Sequence, residues 1–297
     1  MGGGTDLLVL IEEGLASPAH LVDLREVPEA REMKWDASGS VRIGAALELA
    51  TLANDRLLAA RFPLLTSACA AVGTPALRNM GTLGGNLCQR PRCAYFRSGF
   101  ACWKSGGKGC PAEAGENHLL AIFRSGPCHA VHPSDTAVAL VALEAQLHLA
   151  TSRGERTIPV RELWATGDAQ RETNTGPGEV LVAVEIPASA SGGRQTYLKL
   201  MQRGAWDFAL VSLAALRRED GAVRLVLGGV ANRPWEVDRS LEEDCAAGRL
   251  SASDVESLVD RALYDARPLS GNEYKVALAR TLLRRGIEFV ADFDALV

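Results

Sequence analysis

A chain of 297 residues is long enough for two or three ordinary domains, and 47% hydrophobic with 23% charged residues is the composition of a folded globular protein. A formal net charge of −4 with no basic stripe excludes nucleic acid and anionic membranes as expected partners. No apolar run reaches the roughly 20 residues that span a bilayer, and Met1–Gly4 lacks the basic and apolar regions of a signal peptide, so the expected location is cytoplasmic.

In chain order, Gly2–Gly3–Gly4–Thr5–Asp6–Leu7–Leu8 stands before the apolar run Leu7 to Ile11. Consecutive glycines let amides point to one side with no β-carbon in the way, a nest that suits pyrophosphate oxygens. Thr5 adds a hydroxyl, and Asp6 could cap a helix or bond a ribose. Taken alone, the same residues also describe a frayed start. Short strands are expected at His20–Leu24 and Val41–Gly44, the latter after a turn at Asp36–Gly39. Helices are expected from Leu47 to Asp55 and from Phe62 to Val72, where Leu64, Leu65, Ala68, Cys69 and Val72 share one face. A turn at 74–79 then leads into Gly81–Thr82–Leu83–Gly84–Gly85–Asn86–Leu87–Cys88. This second glycine loop lacks the G-x-G-x-x-G spacing, and nothing marks it as opening a helix, which argues against a Rossmann site. It reads either as a second phosphate or flavin loop, through Thr82, Gly84, Gly85 and Asn86, or as a tight turn between strands.

Seven cysteines are too few for a disulfide scaffold, and an odd number cannot pair fully within one chain. Four of them, Cys93, Cys102, Cys110 and Cys128, lie within 36 residues as C-x8-C-x7-C-x17-C, set among glycine, lysine and arginine. Thiolate ligands must be deprotonated, and Arg92, Arg97, Lys104 and Lys108 nearby are expected to favour that form. Iron–sulfur and zinc both suit four cysteines, although zinc modules usually present close C-x2-C pairs and none occurs here. Disulfides fit poorly without a secretion signal. Cys69 and Cys245 read as buried apolar residues, and Cys88 ends the loop.

Pro133–Ser134–Asp135 precedes an apolar helical stretch, with Ser134 or Asp135 as its cap. A hairpin is expected from Gln146–Ala150 and Arg156–Pro159, then a strand over 178–187 closed by proline. The small polar run 189–193 marks a boundary. Strands follow at Thr196–Met201, Leu210–Arg217 and Val223–Val230, then a helix capped around Ser253–Glu256 and a last helix from Asn272 to Phe289. No catalytic acid–base constellation stands out anywhere.

Gly3–Gly4–Thr5–Asp6–Leu7, Thr82–Leu83–Gly84–Gly85–Asn86–Leu87, Pro133–Ser134–Asp135, and Val184–Glu185–Ile186–Pro187 followed by Tyr197–Leu198–Lys199 come in one order over nearly the whole chain. In that order they resemble the medium, FAD-binding subunit of the molybdenum hydroxylases, the xanthine dehydrogenase and carbon monoxide dehydrogenase group. The cysteine stretch is similar to the branch carrying an additional [4Fe-4S] cluster, the 4-hydroxybenzoyl-CoA reductase and periplasmic aldehyde oxidoreductase type, with the short Cys93–Cys102 gap closer to the aldehyde oxidoreductase side.

The resemblance implies an α+β chain: an FAD-binding domain of the vanillyl-alcohol-oxidase type over 1–190, a cysteine-rich insertion at 88–130, and a small α+β domain over 193–297. It implies that Gly2, Gly3, Gly4, Thr5, Asp6, Leu7, Thr82, Gly84, Gly85 and Asn86 hold the FAD pyrophosphate and ribityl chain. Ser134 and Asp135 would anchor further FAD groups, Val182 would pack by the flavin, and Lys199 would approach the isoalloxazine. Cys93, Cys102, Cys110 and Cys128 would hold the cluster, with Cys88 as the competing ligand. Implied partners are a large molybdenum-cofactor subunit, a small [2Fe-2S] subunit and an external electron acceptor. A partner's export signal would make the complex periplasmic. Family members have a strand, helix and strand before the first glycine loop, whereas this chain starts inside it at Met1, so a truncated start is expected. Three other readings stay open: an FAD-free structural subunit with zinc, a reductase subunit of the 4-hydroxybenzoyl-CoA type, and a stand-alone flavin oxidase.

Overall fold

The computed structural model of the chain describes every residue except Ser125, Gly248 and 294–297, with the backbone alone at 249, 292 and 293. The last four residues of the expected 193–297 unit therefore lie outside the described residues.

The apolar run after the first glycine loop is a short helix, Leu7–Glu12 (α1). The strand expected at His20–Leu24 does not form. Asp23 instead accepts from the Arg25 amide at 3.0 Å and pairs with its guanidinium at 2.7 Å, opening a 3-10 turn at Leu24–Glu26. Such local side-chain bonding competes with a ladder. Met33–Trp35 (β1) and Val41–Gly44 (β2) flank the Asp36–Gly39 turn, where the Asp36 carboxylate accepts from the amides of Ser38 (2.8 Å) and Ser40 (3.0 Å).

Helices Leu49–Asn54 (α2), Arg56–Arg61 (α3) and Pro63–Ala70 (α4) follow, and α4 buries Leu64, Leu65, Ala68 and Cys69 as their spacing predicts. The expected turn at 74–79 is a helix, Pro75–Met80 (α5). Thr74 caps it, accepting from the Leu77 amide at 3.1 Å, and proline opens its first turn. The second glycine loop also opens a helix, Leu83–Leu87 (α6), against the sequence reading. Thr82 is its N-cap, accepting from the Gly85 amide at 3.2 Å. Glycines are poor helix formers, and here tertiary contact decides: a Cβ on Gly84 would stand 2.8 Å from the Ala45 Cβ.

The cysteine segment carries one short helix, Ala94–Arg97 (α7), and 3-10 turns. Asp135–Ala142 (α8), capped by Ser134, is buried at every position, as a helix apolar all round beyond its first two residues must be. The hairpin forms as Gln146–Thr151 (β3) and Gly154–Pro159 (β4), followed by Val180–Ile186 (β5). These strands build an antiparallel sheet in the order β1-β2-β5-β3-β4, with Val184 facing both Ile43 and Leu147.

Arg194–Leu200 (β6), Val211–Arg217 (β7), Val223–Gly228 (β8) and Trp235–Glu236 (β9) form a second antiparallel sheet, β6-β7-β8-β9. Side chains alternate between its faces. Ala214, Leu216 and Val226 enter the core around α8 and the first sheet. Leu213, Ala215, Leu225 and Leu227 pack with helices Arg239–Ala246 (α9), Ala252–Ala262 (α10) and Tyr274–Val290 (α11). Helix α11 lies so close that a Cβ on Gly286 would meet Leu213 Cδ2 at 2.4 Å. The cap of α10 is Ser251, in a capping box with Asp254, rather than the expected Ser253.

Lys275 of α11 is fully buried, and its Nζ donates to the carbonyls of Leu119 (3.2 Å), Leu120 (3.0 Å) and Gly229 (2.6 Å). Burial pushes its ammonium down to about 7, while the three acceptors favour the charged form. This side chain holds the end of the cysteine segment on the second sheet. Lys275→Met is expected to cost about 2–4 kcal/mol by orphaning buried carbonyls, read as a lower urea midpoint.

Candidate functional site

The two glycine loops, some eighty positions apart, back onto each other. A Cβ on Gly3 would lie 1.6 Å from the Met80 carbonyl oxygen, and one on Gly2 would lie 2.4 Å from Thr82 Oγ1. Around them is a cavity of about 280 Å³ lined by Gly2, Thr82, Gly84, Gly85, Cys88 and Val182. Bonds from Leu83 N to Leu47 O (2.9 Å), from Gly84 N to Ala45 O (2.8 Å) and from Ala45 N to Val182 O (2.9 Å) fix its wall. Among the described residues the amides of Gly2 and Gly3 donate to no acceptor in the chain. Unpaired backbone amides beside a glycine-lined cavity suit an anionic phosphate group.

Asn86, at the far end of α6, begins a polar knot. Its Oδ1 accepts from Ser134 Oγ (2.5 Å) and Thr136 Oγ1 (2.7 Å). The next residue, Asp135, accepts from Tyr197 OH (2.6 Å) and Lys199 Nζ (2.8 Å), and the Lys199 ammonium also donates to Ala71 O (2.9 Å). Side-chain exposure at Asp135 and Lys199 is 6% and 5%. Burial raises the Asp135 carboxyl above its ordinary range, opposed by Lys199 and Tyr197. Lys199 is thus committed to Asp135. Ser134 and Asp135 line a second cavity of about 400 Å³, shared with Arg92, Cys93 and Phe208.

The cysteine segment lies across α1, where Phe96 and Cys102 pack on Leu10 with Cys93 beside them. Cys102 is buried, and Cys93, Cys110 and Cys128 are half-buried. Among the described residues no three His, Cys, Asp or Glu side chains converge tightly enough for one metal ion. Cys88 stands apart, ending α6 and lining the glycine cavity.

Burial pushes the Cys128 thiol up to about 11, against the pull of Lys104, so metal binding there would release a proton. Arg92 and Arg97 do not serve the thiolates as expected. Both turn to Asp6, at 3.0 and 2.7 Å. That contact, and the Arg90 amide's 2.8 Å bond to the same carboxylate, escaped the sequence reading. A signal was present: between Cys88 and Cys110 stand five basic residues and no acidic one, an imbalance that needs a carboxylate from elsewhere. Thr136 and Tyr197 were also missed as members of the knot.

Comparison with known proteins bears on this site. Residues 1–189 match the family described as FAD binding domain in molybdopterin dehydrogenase. The chain is 34% identical to the aldehyde oxidoreductase FAD-binding subunit PaoB of Escherichia coli, over 95% of this chain and 88% of that protein. It is 27% identical to the carbon monoxide dehydrogenase medium chain of Hydrogenophaga pseudoflava, over 97% and 87%. Among solved structures it superposes on quinoline 2-oxidoreductase from Pseudomonas putida 86 with a TM-score of 0.73 and 26% identity, covering 98% of this chain and 88% of that one. Carbon monoxide dehydrogenase from Hydrogenophaga pseudoflava, with a TM-score of 0.73 and 24% identity over 98% and 88%, shares the fold.

Proposed function

The chain belongs to the family of FAD-binding domains in molybdopterin dehydrogenases, and from that premise we propose that it carries FAD and one [4Fe-4S] cluster as the electron-transfer subunit of a heteromeric molybdenum-cofactor oxidoreductase. The observation carrying the FAD half is the packing of two distant glycine loops against each other beside a cavity lined by Gly2, Thr82, Gly84 and Gly85, with open amides at Gly2 and Gly3. These amides, Gly4, Thr5, Thr82, Gly84 and Gly85 would receive the pyrophosphate, and Val182 would pack beside the cofactor. Asn86 holds Ser134 in place at the second cavity, left for the remaining part of the flavin. Asp6 has its carboxylate turned to arginine, so Asp6 and Leu7 support the loop from behind. Lys199 acts on the site through Asp135.

Bound FAD would supply the chemistry, exchanging electrons singly with one-electron iron–sulfur centres and singly or in pairs with an external partner. The protein's residues hold, orient and shield it. Cys93, Cys102, Cys110 and Cys128 supply four thiols on one segment without the close C-x2-C pairs usual in zinc modules, which supports a cluster over tetrahedral zinc. The proposed division is an FAD domain at 1–190, the cysteine insertion at 88–130 within it, and a C-terminal domain from 193. The proposed partners are a large molybdenum-cofactor subunit and a small [2Fe-2S] subunit, and the proposed substrate is an aldehyde or aromatic heterocycle, a reading supported by relatives named as an aldehyde oxidoreductase subunit, a dehydrogenase medium chain and a quinoline 2-oxidoreductase. Anaerobically purified chain is expected to hold about four iron and four acid-labile sulfide with one heat-released flavin. Zinc without sulfide would overturn the cluster, and absence of flavin from the full complex would overturn the FAD assignment.

A further inference from the structure

Asp6 closes the first glycine loop at the N-cap position of α1, yet its side chain makes no cap bond to that helix. One carboxylate oxygen accepts from the Arg90 amide at 2.8 Å, and the other from Arg97 Nη2 at 2.7 Å, with Arg92 Nη2 3.0 Å from that second oxygen. Arg92 directly precedes Cys93, and Arg97 ends the short helix that Cys93 begins. The carboxylate therefore grips the chain on both sides of one cysteine. Side-chain exposure is 13% for both Asp6 and Arg97, where charge-assisted bonds are strong and little screened by salt. Arg90 has a second partner in Glu172 at 2.9 Å. Arg97 also donates from Nε to the Pro91 carbonyl at 3.0 Å and lies 4.0 Å from Glu13, so Asp6 is the group shared by the two guanidinium groups that flank Cys93.

The mechanical consequence runs in both directions. Two residues before Asp6, Gly4 takes φ +73, and the carbonyls of Gly4 and Asp6 accept from Leu8 N (3.0 Å) and Leu10 N (3.1 Å), so the first turn of α1 ties the glycine loop to Asp6. On the other side, the segment from Cys88 to Cys110 is turns and glycines with one four-residue helix. Little regular structure defines its conformation, and a metal centre bound by its cysteines would do so.

We propose that Asp6 is a positioning residue through which loading of the cysteine site raises flavin affinity at the glycine loops. This rests on the FAD and cluster reading above. Coupling is reciprocal, so bound flavin favours the loaded cysteine site by the same factor.

The test uses the full chain, purified anaerobically, and reads the flavin dissociation constant by fluorescence quenching beside iron, sulfide and far-ultraviolet circular dichroism. Asp6→Asn and Cys110→Ser are each expected to weaken flavin about ten-fold, within the usual span of coupling between sites. The double variant is expected to be no weaker than the weaker single, because both break one link. Arg97→Gln removes the link from the opposite side and, combined with Cys110→Ser, should show the same non-additivity even if Asp6→Asn fails to fold. Unchanged flavin affinity in Cys110→Ser, or losses that multiply in the doubles, would overturn the inference while leaving the cofactor assignment standing. A parent chain without iron and sulfide would overturn the cluster reading, and this inference with it.

Discussion

Lys199→Met is expected to lose about 3–5 kcal/mol of stability, because removing one partner of a buried pair leaves an uncompensated charge. The partner is Asp135, 2.8 Å away and almost fully buried, and the Ala71 carbonyl loses its donor as well. With the ammonium gone, only Tyr197 opposes the burial that already raises the Asp135 carboxyl. A carboxyl held above its unfolded value binds more protons folded than unfolded, so its contribution is present at low pH and lost as pH rises. The deficit of Lys199→Met against the parent should therefore widen as pH climbs from about 5 to about 8, followed by urea denaturation at each pH. A deficit that narrows would mean the carboxylate finds another cation. Adding Asp135→Asn should recover part of the loss, since it removes the stranded charge.

Gly3→Ala is expected to separate the glycine loops. Its Cβ would fall 1.6 Å from the Met80 carbonyl oxygen and 2.5 Å from the Met80 carbonyl carbon. The obstacle is backbone, so no rotamer relieves it. Overpacking of this kind costs about 1–3 kcal/mol, and flavin affinity should fall roughly ten- to a hundred-fold if the open amides bind it. Gly85→Ala, in the second loop, is expected to weaken flavin less than Gly3→Ala. There a Cβ would meet only Thr82 Oγ1 at 2.9 Å, so rotation of Thr82 gives up the α6 cap, about 1 kcal/mol, while the two loops stay packed together. Flavin fluorescence titration of both variants reads the difference, and equal affinity in Gly3→Ala and the parent would remove the nest from the site.

The elements that the sequence predicts well carry their instructions locally. The β3–β4 hairpin, the strand ending before Pro187, the one-faced helix α4 and the Ser134 cap all follow from periodicity, proline or a hydroxyl within a few residues. The misread elements show where local signals fail. The 74–79 turn is a helix because Thr74 and Pro75 together start one, a cap legible in principle. Helix α6 was not legible, because its glycines argue against a helix until Ala45 is placed beside them. At 20–24 the apolar residues suggested a strand, and a single Asp23–Arg25 contact diverted the backbone.

For the site, the residue types were visible and their partners were not. Sequence by itself determined the glycine loops at 2–4 and 81–85, the cysteine spacing, the Ser–Asp step and Lys199, because each is a conformational or chemical property of a few adjacent residues. Only the tertiary structure decided that the loops share a cavity, that Lys199 belongs to Asp135 and that Asp6 belongs to the arginines around Cys93. Those pairings join residues 64 to 91 positions apart. Such distances are closed by the strand order of the first sheet and by a helix buried between two sheets. Packing on that scale leaves no trace in any short window of the chain.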